Sequence, residues 1–345
     1  MPGQARSASA GGVGLRERVK NDGLVVGRAR MPASILVTRK LPASVLAKLE
    51  AAGEVDLYTG ENAMPAAELR ARIADKDGLI CLLTDSIDAS VIDAAPALKV
   101  IANVAVGYNN IDVAAARSRG IVVTNTPDVL TESVADFTWA MILAVTRRLS
   151  EGERLLRRGA WKGWALDFML GTDLRGKLLG LVGLGRIARA VAARAPAFGM
   201  RVAYASRRQV DLPGADALSF DRLLNTSDVV SLHVPLTTET RHLIDKKAIA
   251  RMKRSAYLIN TSRGPVVDEA ALAWALQHHL LAGAALDVYE NEPAVHPDLV
   301  QLENVLLVPH LASATTETRT AMASLAADNV IAVLGGRLPL TPVRE

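Results

Sequence analysis

From Ile35 onward the chain alternates short β-branched runs with Ala-rich helical stretches, the rhythm of parallel strands joined by crossover helices. A first series of strands is predicted at 35–38, 55–58, 78–83, 99–104 and 121–125, with helices around 42–52, 65–75, 89–97 and 112–119 between them. Pro42 and Pro65 suit the first turns of their helices, where a missing backbone donor costs nothing. A long amphipathic stretch, 131–159, then breaks the rhythm. It starts at Thr131, a residue able to cap it, and is the natural crossing into a second unit. The second series of strands is predicted at 177–184, 201–206, 228–234, 256–262, 282–289 and 304–310. Six strands with intervening helices is the count of a complete doubly wound dinucleotide fold. A last helix, about 315–335, has no strand after it and is free to pack back on the first unit.

At 345 residues there is room for two compact units of ordinary size. Half the residues are apolar but only 4% are aromatic, so the cores must be built by close packing of Ala, Val, Leu and Ile. The single cysteine, Cys81, lies in the apolar run GLICLLT and reads as a buried, inert thiol. With no second cysteine there is no disulfide framework within the chain, which fits a reducing compartment and a cytoplasmic protein.

The net charge of +4 raises the question of nucleic acid, and the placement of the charge answers it. The first 30 residues hold six basic and two acidic side chains, out of 40 and 36 in the whole chain, which leaves 34 of each in the remainder. The globular part therefore has no general cationic field to draw in DNA or RNA. Residues 1–30 are rich in Gly, Ser, Ala and Arg without apolar periodicity and read as a disordered tail or upstream extension, with Met31 a second possible start. Even VADFTWAMILAVT is short and holds Asp136, so no membrane span is expected, and no metal site is expected either.

The stretch LLGLVGLGRIARAVAARAPAFG places Gly183, Gly185 and Ala188 at the spacing of the dinucleotide fingerprint, with Ala as the third small residue. Gly183 permits the tight turn, Gly185 lets a pyrophosphate approach the backbone, and Ala188 allows close packing of helix on strand. The free N–H groups at the start of the helix then face the phosphates. At the end of the next strand an NAD-dependent protein normally presents an acid to the adenosine ribose. This chain has Ser206, Arg207 and Arg208 there, with no acid until Asp211. Charge-assisted bonds from these side chains to a 2′-phosphate would favour NADP over NAD by a factor on the order of a hundred.

Arg263, Glu292 and His310 each follow a predicted strand of the second series, where open α/β sheets place their sites. Together they have the makings of carbonyl reduction. A hydride delivered to a carbonyl carbon leaves an alkoxide that needs a proton, and His is suited to give it near neutral pH. A carboxylate close to an imidazole favours its charged form and fixes its orientation. A guanidinium offers a planar fork to a substrate carboxylate and can polarise the carbonyl oxygen. The other five histidines, at 233, 242, 278, 279 and 296, lack this setting.

With these residues in view, the chain resembles the D-isomer-specific 2-hydroxyacid dehydrogenases, and among them the glyoxylate/hydroxypyruvate reductases. The likeness runs from about Ile35 to the last helix and rests on NVAVGYNNIDV (103–113), NTPDVLTESVADF (125–137), WKGWALDFMLGTDLRGK (161–177), GLVGLGRIA (180–188), INTSRGPVVDEAAL (259–272), ALDVYENEP (285–293) and NVLLVPHLASAT (304–315). The resemblance implies an α/β fold of two doubly wound parallel-sheet domains: a Rossmann dinucleotide-binding domain at 129–312, and a flavodoxin-like split substrate domain at 31–128 and 313–345.

It also implies roles. Arg263 binds substrate, Glu292 partners the histidine and His310 donates the proton, while Val106 and Gly107 offer backbone donors to the substrate carboxylate. Cofactor contacts fall to Gly183, Leu184, Gly185, Arg186, Ile187, Ser206, Arg207, Arg208, Val234, Pro235, Thr261, Ser262, Arg263, His310 and Ala312, with Asp287 holding the nicotinamide amide. The implied partners are NADP or NAD, a small 2-oxo acid and a second copy of the chain, through the 131–150 helix and the loop bearing Trp161 and Trp164. A phosphoglycerate-type dehydrogenase and a cofactor-sensing corepressor remain the alternatives. A formate dehydrogenase would need Gln beside the histidine, where this chain has Pro309 and Leu311.

Overall fold

The computed structural model describes residues 32–208 and 210–344, so the N-terminal segment discussed above lies outside the described residues. The first lobe follows the predicted alternation: β1 (Ala33–Val37), α1 (Ala43–Glu50), β2 (Gly53–Leu57), α2 (Ala66–Ile73), β3 (Gly78–Cys81), α3 (Ala89–Asp93), β4 (Val100–Asn103), α4 (Val113–Ser118) and β5 (Val122–Thr124). Its sheet is wholly parallel in the order β2-β1-β3-β4-β5, which is flavodoxin-like. β3 and β4 are buried along their whole length, as strands covered on both faces must be. Pro42 and Pro65 sit one step earlier than expected, as the cap residues of α1 and α2. Cys81 is fully buried between the sheet and its helices, and burial raises its thiol well above the ordinary value.

The crossing segment is two helices rather than one, α5 (Thr131–Thr146) and α6 (Leu149–Arg157), broken where Arg148 takes a left-handed backbone. Thr131 is the first helical residue and not the cap, which falls on Leu130 without a side-chain bond. α5 buries Val134, Ala135, Thr138, Trp139, Met141, Ile142 and Val145, the apolar stripe of a helix pressed on one side. Trp139 donates from Nε1 to Val191 O at 3.0 Å and stacks on Phe198 with ring centroids 4.2 Å apart. α6 buries nothing, and its arginine Arg154, with Arg158 just beyond its end, pairs with Glu303 at 2.7 and 2.8 Å respectively.

The second lobe runs β6 (Leu178–Val182), α7 (Arg186–Arg194), β7 (Arg201–Ala205), β8 (Ala215–Ala217), α8 (Phe220–Thr226), β9 (Val229–Leu232), α9 (Lys246–Arg251), β10 (Tyr257–Asn260), α10 (Glu269–Gln277), β11 (Gly283–Leu286), α11 (Pro297–Val300) and β12 (Val305–Leu307). Its sheet is parallel, in the order β12-β11-β10-β9-β6-β7-β8. The chain reverses direction of winding between β6 and β9, so a crevice opens at the carboxyl ends of those strands. The strand that the apolar pattern did not reveal is β8, three residues at the sheet edge with partly or fully exposed side chains. Three helices here start on side-chain caps: Ser219, Asp245 and Asp268 each accept a main-chain N–H three residues on.

The final helix, α12 (Thr316–Leu334), packs on β3, β4 and α1 and shares a core with them through Met322, Ala323, Ala326, Ala327 and Val330. The segment after it returns to the first sheet, with Val343 N–H bonded to Val123 O at 2.9 Å. Among the described residues no helix is long and apolar enough to cross a membrane, and no group of three or more His, Cys, Asp or Glu is placed to hold a metal.

Candidate active site

The turn from β6 into α7 is built for close approach. Gly183 has φ +92°, and a Cβ there would meet His233 O at 2.6 Å, so only glycine fits. Gly185 caps α7 with open space beside it and no side chain over the helix end. The N–H groups of Arg186 and Ile187 have no acceptor among the described residues and face that space as a positive pole. Leu184 and Ala188 are buried beneath, and Ile187 packs partly between the two lobes' cores. The Arg186 side chain turns aside to Asp128 at 2.7 Å. These features suit a dinucleotide pyrophosphate. At the end of β7, Ser206, Arg207 and Arg208 are all exposed with no carboxylate beside them in the chain. Val234 packs on the core after β9, and Pro235 O accepts from Thr240 Oγ1 at 2.6 Å.

Arg263, Glu292 and His310 come together at the carboxyl ends of β10, β11 and β12. His310 Nδ1 lies 2.9 Å from Glu292 Oε2, and the two side chains are 28% and 29% exposed, enough to meet a ligand in the crevice. With Nδ1 so engaged, Nε2 has no protein partner among the described residues. Burial works to raise Glu292, but the His310 bond, the charges of His310 and Arg263 and the Tyr289 N–H outweigh it, and Glu292 is held below its ordinary value. The Arg263 guanidinium is densely surrounded although its tip reaches the crevice. That burial lowers its pKa, and the nearby Glu292 charge opposes the shift.

Asp287 is fully buried beneath the histidine. Its carboxylate accepts Leu311 N–H at 2.5 Å and Ala312 N–H at 3.0 Å, and its carbonyl accepts His310 N–H at 2.9 Å. His310 itself sits at φ +52°, so this loop is pinned in an uncommon backbone state by one side chain. Burial raises Asp287, with the two N–H groups opposing. The resemblance assigns Asp287 to the nicotinamide amide; in the structure each of its oxygens is already engaged once by the main chain. Thr261 is buried against Thr138 of α5, with the hydroxyls 3.1 Å apart, and Ser262 bonds Asn260 through its hydroxyl and its N–H.

Across the crevice lies the loop after β4. Val106 O accepts Asn125 Nδ2 at 2.7 Å and Gly107 O accepts Asn103 Nδ2 at 2.9 Å, while the N–H groups of Val106 and Gly107 have no acceptor among the described residues. Arg263 donates from Nε to Asn109 Oδ1 at 3.1 Å, and its Nη2 rests against the bare Cα of Gly107, where any Cβ would collide with it. Asn109 was not among the expected site residues, nor were Asn103 and Asn110, which brace this loop. Their only sequence signal is the concentration of Asn in NVAVGYNNI.

Residues 139–312 match the family model described as D-isomer specific 2-hydroxyacid dehydrogenase, NAD binding domain. A glyoxylate reductase of Korarchaeum cryptofilum is 50% identical over 322 residues, covering 91% of this chain and 97% of that protein. Among solved structures, a protein of Thermus thermophilus superposes with a TM-score of 0.86 at 49% identity, covering 90% of this chain and 100% of that one. An NADPH-dependent glyoxylate/hydroxypyruvate reductase of Sinorhizobium meliloti, solved with NADP and malonate, gives 0.82 at 39% identity, covering 90% and 97%.

Proposed function

The chain belongs to the D-isomer-specific 2-hydroxyacid dehydrogenase family and is an NAD(P)-dependent oxidoreductase, and from there we propose that it reduces glyoxylate or hydroxypyruvate with NADPH, giving glycolate or D-glycerate. The observation that carries the reading is the 2.9 Å pairing of His310 with Glu292, beside a guanidinium that reaches across to Gly107. When bound, the nicotinamide supplies a hydride from C4 to the carbonyl carbon. His310 Nε2 gives the proton that the resulting alkoxide needs, and Glu292 at Nδ1 keeps the imidazole in the right tautomer and balances its charge. Arg263 polarises the carbonyl oxygen and, with the N–H groups of Val106 and Gly107, holds the substrate carboxylate.

For the cofactor, Gly183 to Ile187 would carry the pyrophosphate and Ser206, Arg207 and Arg208 a 2′-phosphate. Val234, Pro235, Thr261 to Arg263, Asp287, His310 and Ala312 would line the remainder. The NADP-bound relative supports this preference. We assign 129–312 to the dinucleotide domain and 31–128 with 313–345 to the substrate domain. We place the protein in the cytoplasm, in keeping with a single cysteine that permits no disulfide within the chain. The exposed apolar side chains Trp161, Trp164, Leu166 and Leu170 support a homodimer through the arm that follows α6.

The test is the rate of NADPH and, separately, NADH oxidation with glyoxylate, hydroxypyruvate, pyruvate and phenylpyruvate. Fast NADPH oxidation by the two small polar acids is expected. A preference for NADH would return the arginines to a surface role, and tight cofactor binding without turnover would favour a cofactor sensor.

A further inference from the structure

Two carboxylates that this reaction leaves unused, Glu269 and Glu290, lock onto each other's main chain. Glu290 N–H donates to Glu269 Oε1 at 2.7 Å, and Glu269 N–H donates to Glu290 Oε1 at 2.9 Å. The outer oxygen of Glu290 lies 2.9 Å from His242 Nε2, and His242 N–H in turn bonds Pro265 O at 2.8 Å, two residues beyond Arg263. The neighbouring Tyr289 donates its N–H to Glu292 Oε1 at 3.0 Å and its hydroxyl to Val308 O at 2.9 Å, two residues before His310. The loop 289–293 is thereby fastened to the start of α10, to the turn after Arg263 and to the end of β12. Glu292 projects from the middle of it.

The arrangement carries a cost. Glu269 is only 4% exposed, and burial raises its pKa despite the N–H bonds it receives. A buried carboxylate beside another carboxylate incurs desolvation and repulsion that its N–H bonds must offset. What it does supply is geometry. Tyr289 is buried in the core and Gly264 lies close against the Tyr289–Glu290 backbone, which anchors one end of the loop, whereas Glu290, Asn291 and Glu292 are polar and take their places from hydrogen bonds. Proton delivery depends on where Glu292 meets His310, and displacements near 1 Å can cost about a hundredfold in rate.

We propose that Glu290 and Glu269 are positioning residues that act through Glu292: their reciprocal bonds set the loop so that Oε2 of Glu292 reaches His310 Nδ1. This role rests on the reading of Glu292 and His310 as orienting carboxylate and proton donor. It makes the clasp part of the proton-delivery apparatus and leaves cofactor binding independent of it.

The experiment is glyoxylate reduction with NADPH by Glu290→Ala, Glu290→Gln and His242→Ala, each with a solvent deuterium isotope effect on kcat and a fluorescence titration of NADPH. Glu290→Ala is expected to lower kcat about tenfold and raise the isotope effect, with NADPH affinity unchanged within about twofold. Glu290→Gln keeps the acceptor for Glu269 N–H and should regain most of kcat, while His242→Ala, which strips only the outer partner, should fall between. Parent-like kcat in Glu290→Ala, a Gln variant as impaired as the Ala variant, or an NADPH affinity that falls in step with kcat would overturn the role. Should Glu290→Ala not fold, parent-like kcat and isotope effect in His242→Ala overturn it equally. Glu292→Gln and His310→Gln run alongside: turnover retained in those defeats the acid–base reading itself, whereas its loss there with parent-like Glu290→Ala defeats only the clasp.

Discussion

At the scale of single residues, the chemistry turns on a few atoms whose surroundings are already set. His310→Ala removes the imidazole paired with Glu292 and should lower kcat by about two to four orders of magnitude, with NADPH affinity nearly intact by fluorescence titration. Reduction at the parent rate would mean another proton donor. Gly107→Ala places a methyl where Arg263 Nη2 now lies, so the guanidinium must shift; the KM for glyoxylate should rise at least about tenfold while that for NADPH holds. Changing Arg207 and Arg208 together to Ala should weaken NADPH by a factor on the order of a hundred and leave NADH alone. An equal loss for both cofactors would sink the 2′-phosphate assignment. That Arg263, Glu292 and His310 gather at one end of the sheet was legible from their places after predicted strands. Asn109, Glu269 and Glu290 were not, because a polar residue in a loop reads the same whether it faces water or a partner distant in the chain.

At the scale of elements, the ends of strands decide more than their middles. His233 follows β9 directly, with its ring 2.9 Å from Ser231 Oγ and its carbonyl against Gly183. Although an edge of the residue stays accessible, the ring is densely packed, and burial lowers its pKa from 6.5 to about 4. Between those values the unfolded chain binds a proton that the folded ring refuses. The contribution is therefore complete above about pH 6.5 and lost as the pH falls toward about 4, by up to about 3 kcal/mol. Denaturant unfolding at several pH values should show this decline, and His233→Gln should flatten it; an unchanged slope would place the acid sensitivity elsewhere. The alternating pattern located the strands because a parallel strand covered on both faces must be a continuous apolar run. It missed β8, an exposed edge strand without that signature, and it merged α5 with α6 because the break at Arg148 lies in backbone conformation and not in hydropathy.

At the scale of the whole molecule, two sheets built by the same local rules face each other, and Arg263 spans the gap to reach Asn109, 154 residues earlier in the chain. The arm after α6 carries Trp164 at 81% and Leu166 at 82% exposure, a cost in water that a second copy would relieve. Parent protein should sediment as a dimer, and Trp164→Ser with Leu166→Ser should shift it toward monomer; a monomeric parent would refute the interface. By itself the sequence determined the parallel α/β class, the glycine turn at Gly183 and Gly185, and the family, since periodicity and backbone freedom act over only a few residues. Tertiary structure alone decided that Gly107 must make room for a guanidinium, that Asp287 holds the histidine loop and that Glu269 and Glu290 bind one another. Those relations join side chains from separate strands and lobes, and they exist only once both sheets have packed.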